Sequence, residues 1–336
     1  MNVISPRQPL VQVTPRGLYC PRGDFYIDPW EGVDVALITH AHSDHAREGS
    51  KLYHITEQSL GIIQRRLGPD GVYHPHAYRQ EFFLGDVKIS FHPAGHILGS
   101  AQIRLECDGE VWVVSGDYKR DYDPTCEAFE VVPCDYFITE STFGLPVFVW
   151  KSIEEETEAV YKWWMKNQEV GKNCILGCYS LGKSQRVLHA LAAFTDQPVL
   201  LHGATQALVD LYREQGVPLI ATLPATDFEK GTKGQLILAP PAAISSTWAR
   251  KFGTFESGFA SGWMRIRGNR RRKAYDQGFV ISDHADWPAL LQTVKECGAK
   301  KIYVTHGYTD ELSRFLVEQG HDAEPLETLF AREEDA

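Results

Sequence analysis

Six consecutive residues, His40-Ala41-His42-Ser43-Asp44-His45, follow the apolar run Val35-Ala36-Leu37-Ile38 and constrain this chain more than any other stretch. Ordinary turns are built from Gly, Asn, Asp and Ser, so three imidazoles and a carboxylate in this span exceed what a turn requires. Neutral imidazole nitrogen suits zinc and other borderline first-row ions, and a carboxylate adds an oxygen donor that structural Cys-rich sites lack. Residues i and i+2 of an extended segment point the same way. His40 and His42 are therefore expected to grip one ion, with Asp44 and His45, past the turn, facing a second. Four donors this close rarely close one tetrahedral ion, so the rest of the chain is expected to supply more.

A chain of 336 residues with 43% hydrophobic content can bury a sizeable core in one large domain or two modest ones. Its first residues hold no apolar signal segment, and no apolar run approaches the ~20 residues of a membrane span. A cytoplasmic protein without membrane contact is expected. The seven cysteines form no C-x-x-C pair and read as reduced thiols rather than a disulfide frame or zinc knuckle. A formal net charge of −10 argues against indiscriminate coating of nucleic acid, which depends on clustered Lys and Arg. Base does collect locally, at Arg265, Arg267, Arg270, Arg271, Arg272 and Lys273, with no acid inside the run.

The first third reads as short strands, at 10–13, 25–28, 33–39, 87–92, 101–107 and 111–115, with one helix at 58–67 marked by Leu60, Ile63 and Leu67. A further strand at 136–139 precedes a change of texture. Helix 154–168 opens an alternation of strands (174–178, 199–202, 236–239) and helices (183–194, 205–215), the pattern of a separate parallel α/β layer. Strand-end histidines then return, around 279–284 and 302–306, flanking a helix at 287–297. One fold interrupted by an inserted domain is expected.

Three strand ends offer the missing donors: His96 between glycines in Gly95-His96-Ile97-Leu98-Gly99, Asp117 in Ser115-Gly116-Asp117, and His306 in Thr305-His306-Gly307. With the opening motif they supply four donors to each of two ions: His40, His42 and His96 on one, Asp44, His45 and His306 on the other, Asp117 bridging.

These residues resemble a known family. H-x-H-x-D-H, then His96, then Asp117 are similar to the metallo-β-lactamase fold, an αββα sandwich with a dinuclear site along one edge. Asp28 matches the family's early aspartate, which orients a ligand rather than binding metal. Thr139-Glu140-Ser141-Thr142, Ser282-Asp283-His284-Ala285-Asp286 and Val304-Thr305-His306-Gly307 resemble the three extra motifs of the β-CASP nucleases. That resemblance implies a metallo-β-lactamase domain at 1–145 and 281–336 with an α/β β-CASP cap at 146–280. It also implies His284 as the acid protonating the leaving oxygen, with Glu140 orienting that imidazole and favouring its protonated form. Stretches such as Arg16-Gly17-Leu18-Tyr19-Cys20, Phe25-Tyr26-Ile27-Asp28-Pro29-Trp30, Gly116-Asp117-Tyr118-Lys119 and Phe259-Ala260-Ser261-Gly262-Trp263-Met264 resemble the bacterial ligase-associated DNA exonucleases, also described as mRNA 3′-end processing factors. The implied activity is DNA exonuclease chemistry in repair on two divalent ions, zinc first and manganese compatible, with an ATP-dependent DNA ligase as functional partner. His306 is typical of RNA-cutting members, so an RNA-processing nuclease stays open as the alternative.

A reading of another class comes from Gly177-Cys178-Tyr179-Ser180-Leu181-Gly182-Lys183-Ser184, which fits the P-loop pattern between a strand and a helix and allows an ATP-responsive regulatory protein. The same segment resembles a β-CASP stretch without ATPase activity, in which Lys183 and Arg186 at a helix N-terminus would meet a nucleic-acid phosphate. Ser261 and the basic run 265–273 are further expected backbone contacts, with Trp263 and Phe259 beside them to stack bases. His74 and His76 read as a surface loop, His54, His92, His189 and His321 as structural, and His202 as a cleft candidate.

Overall fold

The computed structural model describes residues 8–266 and 275–328. Three sheets carry the fold. The first runs in chain order through β1 (Gln12–Thr14), β2 (Gly17–Cys20), β3 (Phe25–Ile27), β4 (Val35–Leu37), β5 (Leu52–Thr56) and β6 (Tyr73–His76). The second comprises β7 (Phe82–Leu84), β8 (Val87–Pro93), β9 (Ala101–Cys107), β10 (Glu110–Val114), β11 (Tyr136–Ser141), β18 (Lys301–Gly307) and β19 (Ala323–Pro325), in the order β19-β18-β11-β10-β9-β8-β7. The third is built from β12 (Asn173–Gly177), β13 (Val199–Leu201), β14 (Thr222–Pro224), β15 (Leu236–Ala239), β16 (Phe255–Ala260) and β17 (Gln277–Phe279), all parallel, in the order β14-β13-β15-β12-β16-β17.

The first two sheets share one apolar layer. Leu18, Phe25, Ile27 and Leu37 meet Ile89, Phe91, Ile103, Leu105 and Trp112 there, all fully or almost fully buried. Alternation along each strand sends the other residues outward. Val113, Phe137, Ile302 and Val304 thus pack on Leu290 and Val294 of the helix Trp287–Cys297 and on Leu312 and Leu316 of the helix Thr309–Glu318. Ala36, Ile38, Tyr53 and Ile55 pack on Ile62 and Ile63 of the helix Leu60–Leu67. The third sheet is buried on both faces, as a parallel sheet must be, by the helices Ile153–Glu169 and Lys183–Leu191 on one side and Ala249 and Phe252 on the other. The chain leaves the second sheet at β11 and returns in the strand beside it, β18, in parallel register. No helix among the described residues is long and apolar enough to cross a membrane.

Several expectations are corrected in detail. The strand before the histidine string stops at Leu37, so His40 to His45 lie in a loop. Residues 73–76, expected as surface loop, form the edge strand β6, with His76 buried against His54. The helix expected at 183–194 ends at Leu191, and that expected at 205–215 begins at Gly203. All seven cysteines are free thiols.

Candidate metal centre

The loops that leave β4, β8 and β10 and the ends of β11 and β18 converge on one edge of the paired sheets. Ala101 N–H donates to Thr39 O (2.8 Å), and the amides of His96 and Ile97 both donate to Ser100 Oγ (3.1 Å each). Gly116 sits at φ +55° so close to Thr39 that a Cβ would lie 2.7 Å from that side chain. Only glycine lets the loop bearing Asp117 approach the loop bearing the histidine string.

The donors gather as two groups. Ligand atoms of His40, His42, His96 and Asp117 lie within 4.8 Å of one another, as do those of Asp44, His45 and His306. His42 Nδ1 is 3.1 Å from His40 Nε2 and 3.0 Å from His96 Nε2. A tetrahedral zinc with bonds of ~2.0 Å sets its ligand atoms roughly 3.3 Å apart, close to this spacing. Asp117 Oδ2 lies 3.4 Å from His40 Nε2 and 3.5 Å from His45 Nε2, so one carboxylate faces both groups. The His45 and His306 rings stack at 5.6 Å, and a cavity of about 20 Å³ touches His45, Asp117, Glu140 and His306.

The electrostatics test whether a cation fits. Both Asp117 carboxylate oxygens are buried and accept no hydrogen bond among the described residues, and burial pushes that carboxyl well above its usual range. Burial, then the neighbouring imidazoles, hold His40 well below its ordinary value; His96 is lowered in the same way. Burial also disfavours a charged His45, but Asp117, Asp44 and Asp28 outweigh it and lift that imidazole to about 10. The carboxylates thus draw a proton into the space between them. A divalent ion there would instead keep Asp117 ionised and the imidazoles neutral. The donor set therefore fits divalent ions, and its mixture of imidazole and carboxylate suits zinc or manganese.

Supporting groups fix the ring orientations. His45 Nδ1–H donates to Asp28 Oδ2 (2.7 Å), and Asp28 also accepts from Thr39 N–H (2.8 Å) and Thr39 Oγ1 (2.5 Å). His96 Nδ1–H donates to the carbonyl of Asp283 (2.7 Å). Such bonds leave Nε2 as the donor atom toward a metal. Sequence reasoning missed this role of Asp283, because a backbone carbonyl carries no residue-type signature.

His284 stands at the margin of the first group. Its Nδ1 bonds Glu140 Oε2 (2.9 Å), its ring lies 4.7 Å from that of His96, and it shares a donor cluster with Asp117 and Glu140. Glu140 Oε1 accepts from Tyr118 N–H (2.7 Å). Burial opposes ionisation of Glu140, yet the His284 imidazole outweighs it and draws the carboxyl below its usual range.

Lys183 and Arg186, expected to face a phosphate, require correction. Both are buried with carboxylates of their own: Lys183 Nζ is 3.1 Å from Asp283 Oδ1, and Arg186 is 2.7 Å from Asp123 Oδ2. The P-loop reading fails on the same geometry. Gly182 abuts Ile97 so closely that a Cβ would lie 2.3 Å from Ile97 Cγ2, and Ser184 Oγ donates to Tyr179 O. Ile97 thus occupies the approach to Gly182 that a phosphate would need, and Lys183 is already paired with Asp283. Ser261 is buried too, its hydroxyl accepting from Trp263 N–H (3.3 Å) at the start of a short 3₁₀ turn rather than facing solvent. Arg265 is exposed and donates to Val147 O (3.1 Å). Arg267, Arg270, Arg271, Arg272 and Lys273 lie outside the described residues. His202 caps the helix Gly203–Glu214 by accepting from Ala204 N–H (3.1 Å).

Fold and site together define a mixed α/β protein with a His/Asp centre able to hold two divalent ions beside a carboxylate-held histidine. No family model matches the sequence. A probable DNA ligase of Opitutus terrae is 29% identical over 311 residues, 91% of this chain and 30% of that protein. An RNase J-like protein of Methanocaldococcus jannaschii is 26% identical over 47% of this chain and 43% of its own length. The cleavage and polyadenylation specificity factor 73 of Drosophila melanogaster is 30% identical over 37% of this chain and 18% of its own length. This chain spans less than half the length of each. A crystal structure of a protein of unknown function from Enterococcus faecalis V583 superposes with a TM-score of 0.57 at 11% identity, covering 89% of this chain and 79% of that one. The chain is thus similar to nucleases of the metallo-β-lactamase β-CASP kind.

Proposed function

We propose that this protein is a two-metal phosphodiesterase acting on nucleic acid, foremost a DNA exonuclease in repair. Its αββα sandwich is assigned to 1–145 and 281–336 and its β-CASP cap to 146–280. The observation that carries this reading is the Glu140–His284 pair, 2.9 Å apart, beside the Asp117 carboxylate that faces both donor groups. His40, His42, His96 and Asp117 would hold one ion, and Asp44, His45, His306 and Asp117 the other. Bound there, two divalent ions supply Lewis-acid stabilisation of a transferring phosphoryl group and water acidified toward neutral pH. With Nδ1 held by Glu140, which stabilises the imidazolium and so readies it as general acid, His284 would offer Nε2 to the leaving oxygen. Asp28 and the Asp283 carbonyl keep His45 and His96 in the tautomer that offers Nε2.

The Opitutus relative, whose match covers nearly all of this chain, carries a ligase name; this supports DNA as substrate and a DNA ligase as functional partner. His306 in the second donor group, with RNase J-like and cleavage-factor relatives, supports RNA as the second reading. Metal analysis combined with end-labelled single- and double-stranded DNA and RNA tests both. DNA shortened from one end at two bound metals per chain is expected. His284→Ala is expected to keep both metals and lower turnover by about 10²–10⁴-fold, the usual range for a general acid, whereas Asp117→Ala is expected to lose metal. Loss of metal in His284→Ala overturns this division of roles, and full activity without metal overturns the scheme.

A further inference from the structure

At the amino-terminal ends of β12, β15 and β16, the third sheet is hollowed into a groove of about 890 Å³. The opposite ends of these strands lead to the metal centre, where Leu181 O lies 3.4 Å from His42 Nε2. Lys172, Lys230, Lys233, Arg250 and Lys251 line the groove, and no carboxylate does. In a chain of net charge −10, such a concentration of cations is a local reversal of the molecule's field. Lys172 alone is drawn off, to Glu256 at 3.2 Å; Lys230, Lys233 and Arg250 have no ion-pair partner among the described residues.

The groove is preformed. Asn173, buried at its floor, donates through Nδ2 to Thr232 O (3.1 Å) on one wall and Phe252 O (2.8 Å) on the other. Lys251 Nζ donates to Ala225 O (2.8 Å) and lies over the rings of Trp248 (5.2 Å) and Phe252 (5.0 Å). Lys251 also lines a second hollow of about 240 Å³ with the half-exposed Trp248 and Gly203, which opens the helix Gly203–Glu214. Cations along a trough, with the half-exposed Phe228 in its lining, form the electrostatic part of the pattern that holds single-stranded nucleic acid, in which charges track the phosphates.

We infer that this groove is a second nucleic-acid site, which holds the phosphate backbone of a single strand away from the metal centre. The inference rests on the nucleic-acid reading proposed above and adds a place on the cap where a long substrate is retained between cuts. β12 alone separates the two ends of the sheet by about 17 Å at ~3.3 Å per residue. Only a strand long enough to cross the cap engages both places, so the effect should depend on length.

The test uses the metal-loaded full chain and the variant Lys230→Gln/Lys233→Gln/Arg250→Gln, with phosphorothioate oligothymidylates of 4 and 30 nucleotides as probes. Each lost phosphate contact flattens the log–log salt dependence by about 0.7 for single strands. The variant is expected to lose about 2 from the slope for the 30-mer and at least ~10-fold in affinity at low salt. Affinity for the 4-mer and hydrolysis of bis(p-nitrophenyl) phosphate are expected to stay at the parent level, which also shows that the variant is folded. Unchanged 30-mer binding overturns the inference, as does a groove that binds polyglutamate in preference to the oligonucleotide, the mark of an acidic protein partner. A parent protein that hydrolyses the small ester but neither binds nor cuts any oligonucleotide overturns the nucleic-acid reading itself, a result distinct from failure of the groove alone.

Discussion

Asp28 shows how much a single side chain can organise. It holds a φ of +42°, a conformation that costs a non-glycine residue of order 1–3 kcal/mol. Three hydrogen bonds into its carboxylate, from Thr39 N–H, Thr39 Oγ1 and His45 Nδ1, over-determine that backbone. Asp28→Asn keeps a residue that tolerates the left-handed region, but its amide cannot accept all three bonds, and His45 loses the anchor of its tautomer. Metal affinity of the second donor group is expected to fall about 10–100-fold, as for other groups that orient metal ligands. Metal titration followed by mass spectrometry of the gel-filtered protein reads this; stoichiometry and affinity at parent levels would remove Asp28 from the site. At this scale the sequence was most legible where chemistry is tied to residue type. His40, His42, Asp44, His45, His96, Asp117 and His306 stand out as candidate donors because so many imidazoles and carboxylates fall together at strand ends, whereas a single one such as His202 can be a helix cap. The contribution of Asp283 through its carbonyl was illegible, since any residue presents one.

Among the elements, β5, β6 and β7 hold a buried stack that alternation of types did not announce. His54 and His76 lie with ring centroids 5.1 Å apart, both against Phe82 at 5.1 and 3.8 Å, and His54 Nδ1 is 2.8 Å from His76 Nε2. Pro75 and the polar residues around it read as loop because an edge strand tolerates proline that a central strand excludes. Burial, then the neighbouring His76 and His74, lower His54 to about 4. The folded protein thus keeps His54 neutral while the unfolded chain takes up a proton below about 6.5. Its contribution is fully present above pH ~6.5 and is lost as pH falls toward 4, at most about 3 kcal/mol. His54→Gln should therefore be less stable than the parent at pH 7.5, with the gap narrowing as pH approaches 4.5. Melting temperatures of both proteins across that range decide it, and a constant gap would assign the acid sensitivity elsewhere. In the parallel third sheet β12, β13 and β15 were foreseen, because their strands are almost wholly apolar and the helices between them keep the 3.6-residue period; β14 and β16 were not, because Thr222, Pro224, Glu256 and Ser257 break the apolar run.

For the whole molecule, the question is what holds the third sheet and its helices against the paired sheets. A texture change near residue 153 exposes an insertion, but not its fastenings, because a cation in a helix says nothing of which distant carboxylate will meet it. Arg186 is the centre of that junction. It pairs with Asp123 at 2.7 Å and donates to Ser282 O (3.2 Å), His96 O (3.4 Å) and Gly95 O (3.5 Å), all buried. Lys183 with Asp283, and Leu98 N–H donating to the Tyr212 hydroxyl at 3.0 Å, run in parallel. One guanidinium therefore neutralises a carboxylate and also bonds the backbone at or just before two histidines of the candidate site, His96 and His284. These two duties can be separated. Arg186→Met leaves Asp123 buried and unpaired and is expected to cost about 3–5 kcal/mol. Arg186→Met/Asp123→Leu removes both charges and should recover most of that stability in urea unfolding, as apolar replacements of buried pairs do. Yet the three carbonyls still lack their donor, so His96 and His284 lose registration with Asp117. Turnover of bis(p-nitrophenyl) phosphate by the double variant is accordingly expected to stay at least ~10-fold below the parent, a shortfall reasonable for geometry relaxed by a fraction of an ångström. Recovery of stability and turnover together would reduce Arg186 to a charge partner. Recovery of stability alone makes the third sheet and its helices part of the geometry that turnover needs.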